Sequence, residues 1–259
     1  MTFLRESLPF KDGGVVSLVG AGGKTTFMFR LARELALAGE SVLTTTTTKI
    51  FMPSAEQSAH VIIEADPERL LRKAGKLKEK HIHITAGREF LASQGKLAGL
   101  GPDVINQIWD TDLFRWILVE ADGAAFRPLK APAAHEPVIP SRSAYVGAII
   151  GMDALGKPLA EQWVFRANLF SQITGLPLGA AVSEESIAAI ILDQKGLMKG
   201  SPARAGRFVF LNKADREPLV EAGKKIGSLI FKKSGLQFEK VLIGVLKPEP
   251  SVILFQDHA

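Results

Sequence analysis

No cysteine occurs among the 259 residues of the chain. That absence excludes a disulfide scaffold, a thiolate-ligated zinc or iron–sulfur site, and a cysteine nucleophile. Long apolar runs are missing as well, none reaching the roughly 18 to 20 residues a membrane span requires. The stretch from Met1 to Asp12 mixes Arg5, Glu6, Lys11 and Asp12 with apolar residues and carries no signal-peptide core. These absences lead us to expect a soluble protein of a reducing, cytoplasmic compartment with no membrane partner. The densest basic stretch holds Arg69, Arg72, Lys73, Lys76, Lys78 and Lys80 without interleaved aromatics. It therefore reads as a solvated helix face, and a nucleic-acid partner is not expected.

What is present supports one α/β domain over residues 1–259. Apolar residues make up 46% and charged residues 23% of the chain, enough to bury a core. The net charge of +5 suits an anionic ligand without demanding one. Strand and helix patterns alternate, which predicts a mostly parallel sheet flanked by helices. Strands are expected at Val15–Val19, Ser41–Thr47, Ala59–Ile63, His81–Thr85, Trp116–Ala121, Ala144–Ile150 and Arg207–Leu211, with a last one at Lys240–Val245. Helices are expected at Thr26–Ala38, from Pro67, at Pro102–Asp110 and at Glu217–Lys232. Leu159 to Lys195 reads as mostly helical, so residues 159–206 form a helical excursion before the strand at 207–211. Pro128, Pro132, Pro137 and Pro140 keep the intervening stretch from being helix or inner strand.

Chemistry concentrates first at Gly20-Ala21-Gly22-Gly23-Lys24-Thr25-Thr26. The order strand, glycine loop, Lys-Thr, helix is that of a phosphate-binding loop. Glycines let main-chain N–H groups approach oxygen, and the helix amino terminus stands behind them. Lys24 can reach terminal phosphates, and Thr25 can place its hydroxyl on magnesium. The usual form has four residues between its two glycines, but position 18 is Leu18. The shorter Gly-x-x-Gly-Lys-Thr form resembles the loop of the Mur ligases. Glu120 and Asp122 end the Trp116 strand two residues apart, so both can face the phosphates and serve a metal. Their Glu-x-x-Gly spacing with Gly123 resembles a motif of metal-delivery GTPases. Asn212-Lys213-Ala214-Asp215 follows another strand and resembles the Asn-Lys-x-Asp motif of GTPases. An Asp carboxylate accepts two hydrogen bonds from guanine that adenine cannot offer, which favours GTP over ATP.

Two further segments belong near this chemistry. The run Thr44 to Lys49 places Thr47, Thr48 and Lys49 at a strand's carboxyl end, facing phosphate or substrate. In the proline stretch, Arg127 and Lys130 offer charge to phosphate or an acidic substrate, and His135 with Glu136 offers proton handling. His81 and His83 share a strand face but have no third ligand in view.

Taken together, these segments resemble the YqeC family of selenium-dependent hydroxylase accessory proteins. The resemblance rests on Leu18 to Thr26, the Thr44 to Lys49 run and Val119-Glu120-Ala121-Asp122-Gly123. Leu129-Lys130-Ala131-Pro132 and His135-Glu136-Pro137-Val138-Ile139-Pro140 add to it. It implies a nucleotide-binding accessory role in assembling molybdenum hydroxylases, with such a hydroxylase or its cofactor-assembly proteins as partner. Three chemistries fit the residues: nucleoside triphosphate hydrolysis, phosphoryl transfer or ligation, and a nucleotide-held switch without turnover.

Overall fold

The computed structural model describes residues 4–234, 237–246 and, as backbone alone, 251–255. Met1, Thr2 and Phe3 lie outside the described residues. A short helix α1 (Leu4–Ser7) precedes β1 (Gly14–Gly20), which is buried along its whole length and feeds α2 (Lys24–Leu37). Next come β2 (Val42–Thr46), β3 (Lys49–Phe51), β4 (Val61–Ile63) and α3 (Pro67–Lys78). They are followed by β5 (His83–Gly87), β6 (Glu89–Leu91), β7 (Lys96–Ala98), α4 (Pro102–Trp109) and β8 (Trp116–Glu120). The proline-rich stretch contributes β9 (Leu129–Lys130) and leads into β10 (Ser143–Gly151). After β11 (Val164–Phe165) come α5 (Ala167–Thr174), α6 (Glu184–Leu192) and β12 (Gly206–Asn212). The chain closes through α7 (Glu217–Ser234), β13 (Lys240–Val245) and β14 (Ser251–Phe255).

Nine strands form one sheet in the order β14-β13-β12-β10-β1-β8-β2-β5-β4. Every pairing in it is parallel except β13 with β14. Strands buried on both faces need apolar residues on both, and Val15-Val16-Ser17-Leu18-Val19 supplies them. Val16 and Leu18 pack under α1 and α2 with Phe27, Met28 and Leu31. Val15 and Val19 point to the opposite face, where α3 and α4 cover one half and α5, α6 and α7 the other. The fold is thus an α/β sandwich of three layers, with β1 at its centre. In such sheets ligands bind beyond the strands' carboxyl ends, which here means the turn between β1 and α2.

Two expectations need correction. The 159–206 excursion is only partly helical: α5 and α6 are short, and β11 pairs with β9. Arg166 (φ 62°) and Gly175 (φ 76°) take left-handed backbone and bound α5 on either side. Lys240–Val245 is followed by the antiparallel β14 and is not the last strand. A separate sheet of order β3-β7-β6 was unforeseen, because three-residue strands are too short to show alternation. Along α3, Arg69, Arg72, Lys73 and Lys76 are exposed, as a solvated face requires. No helix among the described residues is long and apolar enough to cross a membrane.

Gly147 on β10 sits opposite Phe208 on β12, and a Cβ there would run into the Phe208 ring. That ring is fully buried and stacks on Phe27 at 6.0 Å between centroids. We predict that Gly147→Val lowers unfolding free energy by about 1–3 kcal/mol, as overpacking does. Adding Phe208→Leu should recover part of the loss. An unchanged urea midpoint in Gly147→Val would contradict this packing.

Candidate functional site

The loop leaving β1 can turn as it does because of its glycines. Gly22 has φ 85°, and a Cβ there would meet the Gly151 backbone and the Pro128 carbonyl. Gly23 has φ 137°, and a Cβ there would strike the Asn212 side-chain amide. Gly23 is also the amino-terminal cap of α2, and no side chain caps it. By contrast, α3 is capped by Asp66 and α6 by Ser183. The first-turn N–H groups of α2 are thus left to an external acceptor, with the positive end of the helix dipole behind them.

Glu120 and Asp122 converge on the same point from the neighbouring strand, where Leu18 pairs with Glu120. Lys24 Nζ donates to the Gly20 carbonyl at 2.6 Å and lies 3.1 Å from Asp122 Oδ1 and 3.8 Å from Glu120 Oε1. Thr25 Oγ1 donates to Glu120 Oε2 at 2.6 Å. Asp122 Oδ2 accepts from the Gly20 N–H at 3.1 Å. Burial works against the Lys24 charge, but Asp122 and then Glu120 outweigh it and hold the ammonium above the usual lysine range. Burial pushes the Glu120 carboxyl up, more than Lys24 and the Thr25 hydroxyl pull it down. Asp122 is the carboxylate nearest the Lys24 ammonium, and Glu120 is the one that also accepts from the Thr25 hydroxyl.

A cleft of about 840 Å³ opens over this point. Its floor is Gly22, Gly23, Lys24, Thr25 and Thr26, with Glu120 and Gly123 beside them. Asn212, Lys213 and Asp215 line the side beneath β12. Asn212 Nδ2 donates to the Gly22 carbonyl at 2.7 Å, tying that segment to the loop. Lys213 (φ 64°) pairs with Asp153 at 2.7 Å, whereas the Asp215 carboxylate is exposed, with Arg216 at 3.8 Å as its ion-pair partner among the described residues. Lys49 and Arg127 line the opposite side, under β2 and β8.

With that geometry in hand, comparison with known proteins places the chain. The family model described as YqeC protein matches residues 16–168. The YqeC protein of Escherichia coli (strain K12) is 36% identical over 204 residues, covering 77% of this chain and 75% of that protein. The chain belongs to the YqeC family. Two solved structures match it at low similarity. The signal recognition particle 54 kDa protein of Aeropyrum pernix K1, in complex with GDP, has a TM-score of 0.42 and 18% identity. This chain is covered over 96% of its length and spans 45% of that protein. FtsY of Mycoplasma mycoides has a TM-score of 0.38 and 14% identity, with 99% of this chain and 68% of that one covered. The YqeC match takes in the glycine loop, the acidic strand end and the proline-rich stretch as far as Arg166. The Asn212 tetrad lies beyond it.

Within the YqeC span the structure redefines several expected residues. Lys130 is 0% exposed and cannot meet a ligand. Its ammonium bonds the Gly123 carbonyl at 2.6 Å, Glu136 at 2.7 Å and Asp122 Oδ2 at 2.9 Å, so it positions Asp122 from behind. Glu136 is no proton carrier. Burial pushes its carboxyl up, yet hydrogen bonds from Arg166 and Lys130 prevail and hold it at about 2. His135 is exposed and away from the cleft lining. Thr47 and Thr48 stand outside that lining too: Thr47 Oγ1 donates to the Val138 carbonyl at 2.9 Å, and Thr48 Oγ1 meets Thr46 Oγ1 at 3.2 Å. Ala21 is buried, its N–H bonded to the Ile149 carbonyl at 2.8 Å. Arg127 sits at the rim, its Nε on the Glu161 carbonyl at 2.6 Å. His81 stacks on His60, and His83 is half-buried against Thr44 with its imidazole pushed down to about 4 by desolvation.

Arg166 escaped sequence reasoning. It lies in the excursion, 30 positions from Glu136, and grips that carboxylate with Nη1 at 2.6 Å and Nη2 at 3.2 Å. No local pattern marks it; its left-handed backbone becomes visible only in the fold. Glu136 has a folded value below the ordinary 4.5, so its stabilisation is complete above about 4.5 and is lost as pH falls toward 2. We predict that this acid-side loss disappears in Glu136→Gln, which should also unfold more easily at neutral pH by about 3–5 kcal/mol. Urea unfolding of both proteins at pH 6 and pH 3 checks it; parallel pH profiles would contradict the pairing.

Proposed function

We propose that this YqeC-family protein binds a magnesium nucleoside triphosphate in the cleft and hydrolyses it, with GTP favoured over ATP. One observation carries the reading: Lys24, Thr25 and Glu120 meet at the uncapped amino terminus of α2, on the floor of an open cleft, with the fully buried Asp122 behind Lys24. The polyphosphate lies along the Gly22 and Gly23 amides, and Lys24 exchanges its bond to the Gly20 carbonyl for a phosphate oxygen. The donor set near Thr25 fits magnesium: its hydroxyl and the Glu120 carboxylate are hard oxygen ligands. The fully buried Asp122, whose Oδ1 is held by the Lys24 ammonium at 3.1 Å, stands behind them. Thr25 Oγ1 with Glu120 would hold the ion, which when bound neutralises phosphate charge, and Asp122 would act through Lys24. Arg127 at the rim offers the same phosphates a second cation.

The base faces the β12 side. There the exposed Asp215 carboxylate would accept from guanine, and the Asn212 bond to the Gly22 carbonyl couples that turn to the phosphate loop. The biological role we infer is an accessory one, in maturation of selenium-dependent molybdenum hydroxylases, with the hydroxylase or its cofactor-assembly proteins as partner. Family membership supports it. A second reading, phosphoryl transfer or ligation, draws on the short Gly-x-x-Gly-Lys-Thr loop; product analysis separates free phosphate from a phosphorylated or ligated adduct.

Calorimetry with GTP, ATP and magnesium tests the proposal. Lys24→Ala should weaken either nucleotide by about 10- to 100-fold, the worth of a hydrogen bond to a charged group. Asp215→Ala should weaken GTP by a similar factor and leave ATP unchanged. Equal affinity for both nucleotides in the parent protein would remove the guanine preference, and phosphate release that survives Lys24→Ala would remove the mechanism.

A further inference from the structure

The cleft is larger than its phosphate floor, and its second wall has a chemistry of its own. Sheet order explains the two walls: from β1 outward, β10 and β12 lie on one side and β8 and β2 on the other. A nucleotide whose base lies toward β12 therefore directs its terminal phosphate toward the ends of β8 and β2. There the Phe51 and Phe126 rings meet tilted by 32° with centroids 5.6 Å apart, and Lys96 Nζ lies 5.2 Å over the Phe51 ring. Phe126 is 83% exposed, although it is the largest side chain of the segment after Gly123. Ala125 (φ 45°) and Phe126 (φ 59°) hold left-handed backbone that such residues rarely adopt. Strained backbone presenting an aromatic ring into a cleft is a recurrent mark of function.

Lys49, Lys96 and Arg127 line the same wall, and among the described residues none of them pairs with a carboxylate. The other cations of the cleft are committed: Lys24 to Asp122 and Glu120, Lys213 to Asp153 and Arg216 to Asp215. Uncompensated charge beside open aromatic faces matches a flat ring bearing an anion. We propose that this wall is a second-substrate subsite for a planar aromatic or heterocyclic molecule carrying a phosphate or carboxylate. The ring packs on Phe126 and Phe51, and the anion is met by Lys49 and Lys96, with Arg127 left to the nucleotide's phosphates. Its position next to a terminal phosphate rests on the nucleotide reading; the subsite itself does not.

Full-length protein with magnesium and a saturating nonhydrolysable GTP analogue is titrated with 1-naphthyl phosphate. Parallel titrations use 1-naphthol, which lacks the anion, and inorganic phosphate, which lacks the ring. Saturable binding is expected for the ester, weaker by about tenfold for either fragment and for Phe126→Ala or Lys49→Ala. The analogue's affinity should not change in Phe126→Ala. Absence of saturable binding, equal affinity in Phe126→Ala, or displacement of the ester by the analogue each overturns the subsite. A protein that binds the analogue but not the ester loses the subsite alone. One that binds the ester but neither nucleotide loses the proposed function alone.

Discussion

Asp122 is a fully buried carboxylate, and the site is organised by the need to satisfy it. An ion of that kind is tolerated in a core only when charge and hydrogen bonds surround it. Two ammonium groups do so from opposite sides, Lys24 at 3.1 Å and Lys130 at 2.9 Å, and the Gly20 N–H adds a bond at 3.1 Å. Each partner belongs to a different segment: the glycine loop, the helix after it and the proline-rich stretch. Satisfying one carboxylate therefore fixes three pieces of chain about the end of β8. Lys130 extends the same logic to Glu136, and Glu136 to Arg166 in the excursion. An unbroken line of charge runs from the phosphate loop to α5.

The sheet supplies the frame for that line. With β1 between β8 and β10, the loop it feeds stands at the middle of the carboxyl edge and can be approached from both sides. One side ends in Asn212 and Asp215, the other in Lys49 and the Gly123–Arg127 segment. Helix packing is unequal, with α1 and α2 on one face and five helices on the other. The amino terminus of α2 is spared any side-chain cap and directed into the cleft.

Legibility in the sequence followed physical scale. Trp116 to Ala121 could be read because a strand buried on both faces must be apolar at every position, and β1 for the same reason. The three-residue strands β3, β6 and β7 could not, since they show too few alternations to separate from coil. Helical content in the excursion was overread: apolar spacing there serves packing against β10 and β12, while Arg166 and Gly175 interrupt the backbone. Lys130 was misread because a lysine among prolines resembles a surface residue. Nothing local shows that Asp122 and Glu136 bracket it.

By itself, the sequence determined the local chemistry: a glycine loop ahead of a helix, two carboxylates ending a buried strand, and an Asn-Lys-x-Asp turn after another. These depend on neighbours a few residues apart, where backbone freedom and strand periodicity are decided. Tertiary structure alone decided which charges meet. Pairing Asp122 with Lys130, Glu136 with Arg166 and Phe51 with Phe126 requires chain segments that only the strand order brings together. A buried charge is stabilised by whatever lies within a few ångströms, and that distance has no fixed relation to separation along the chain.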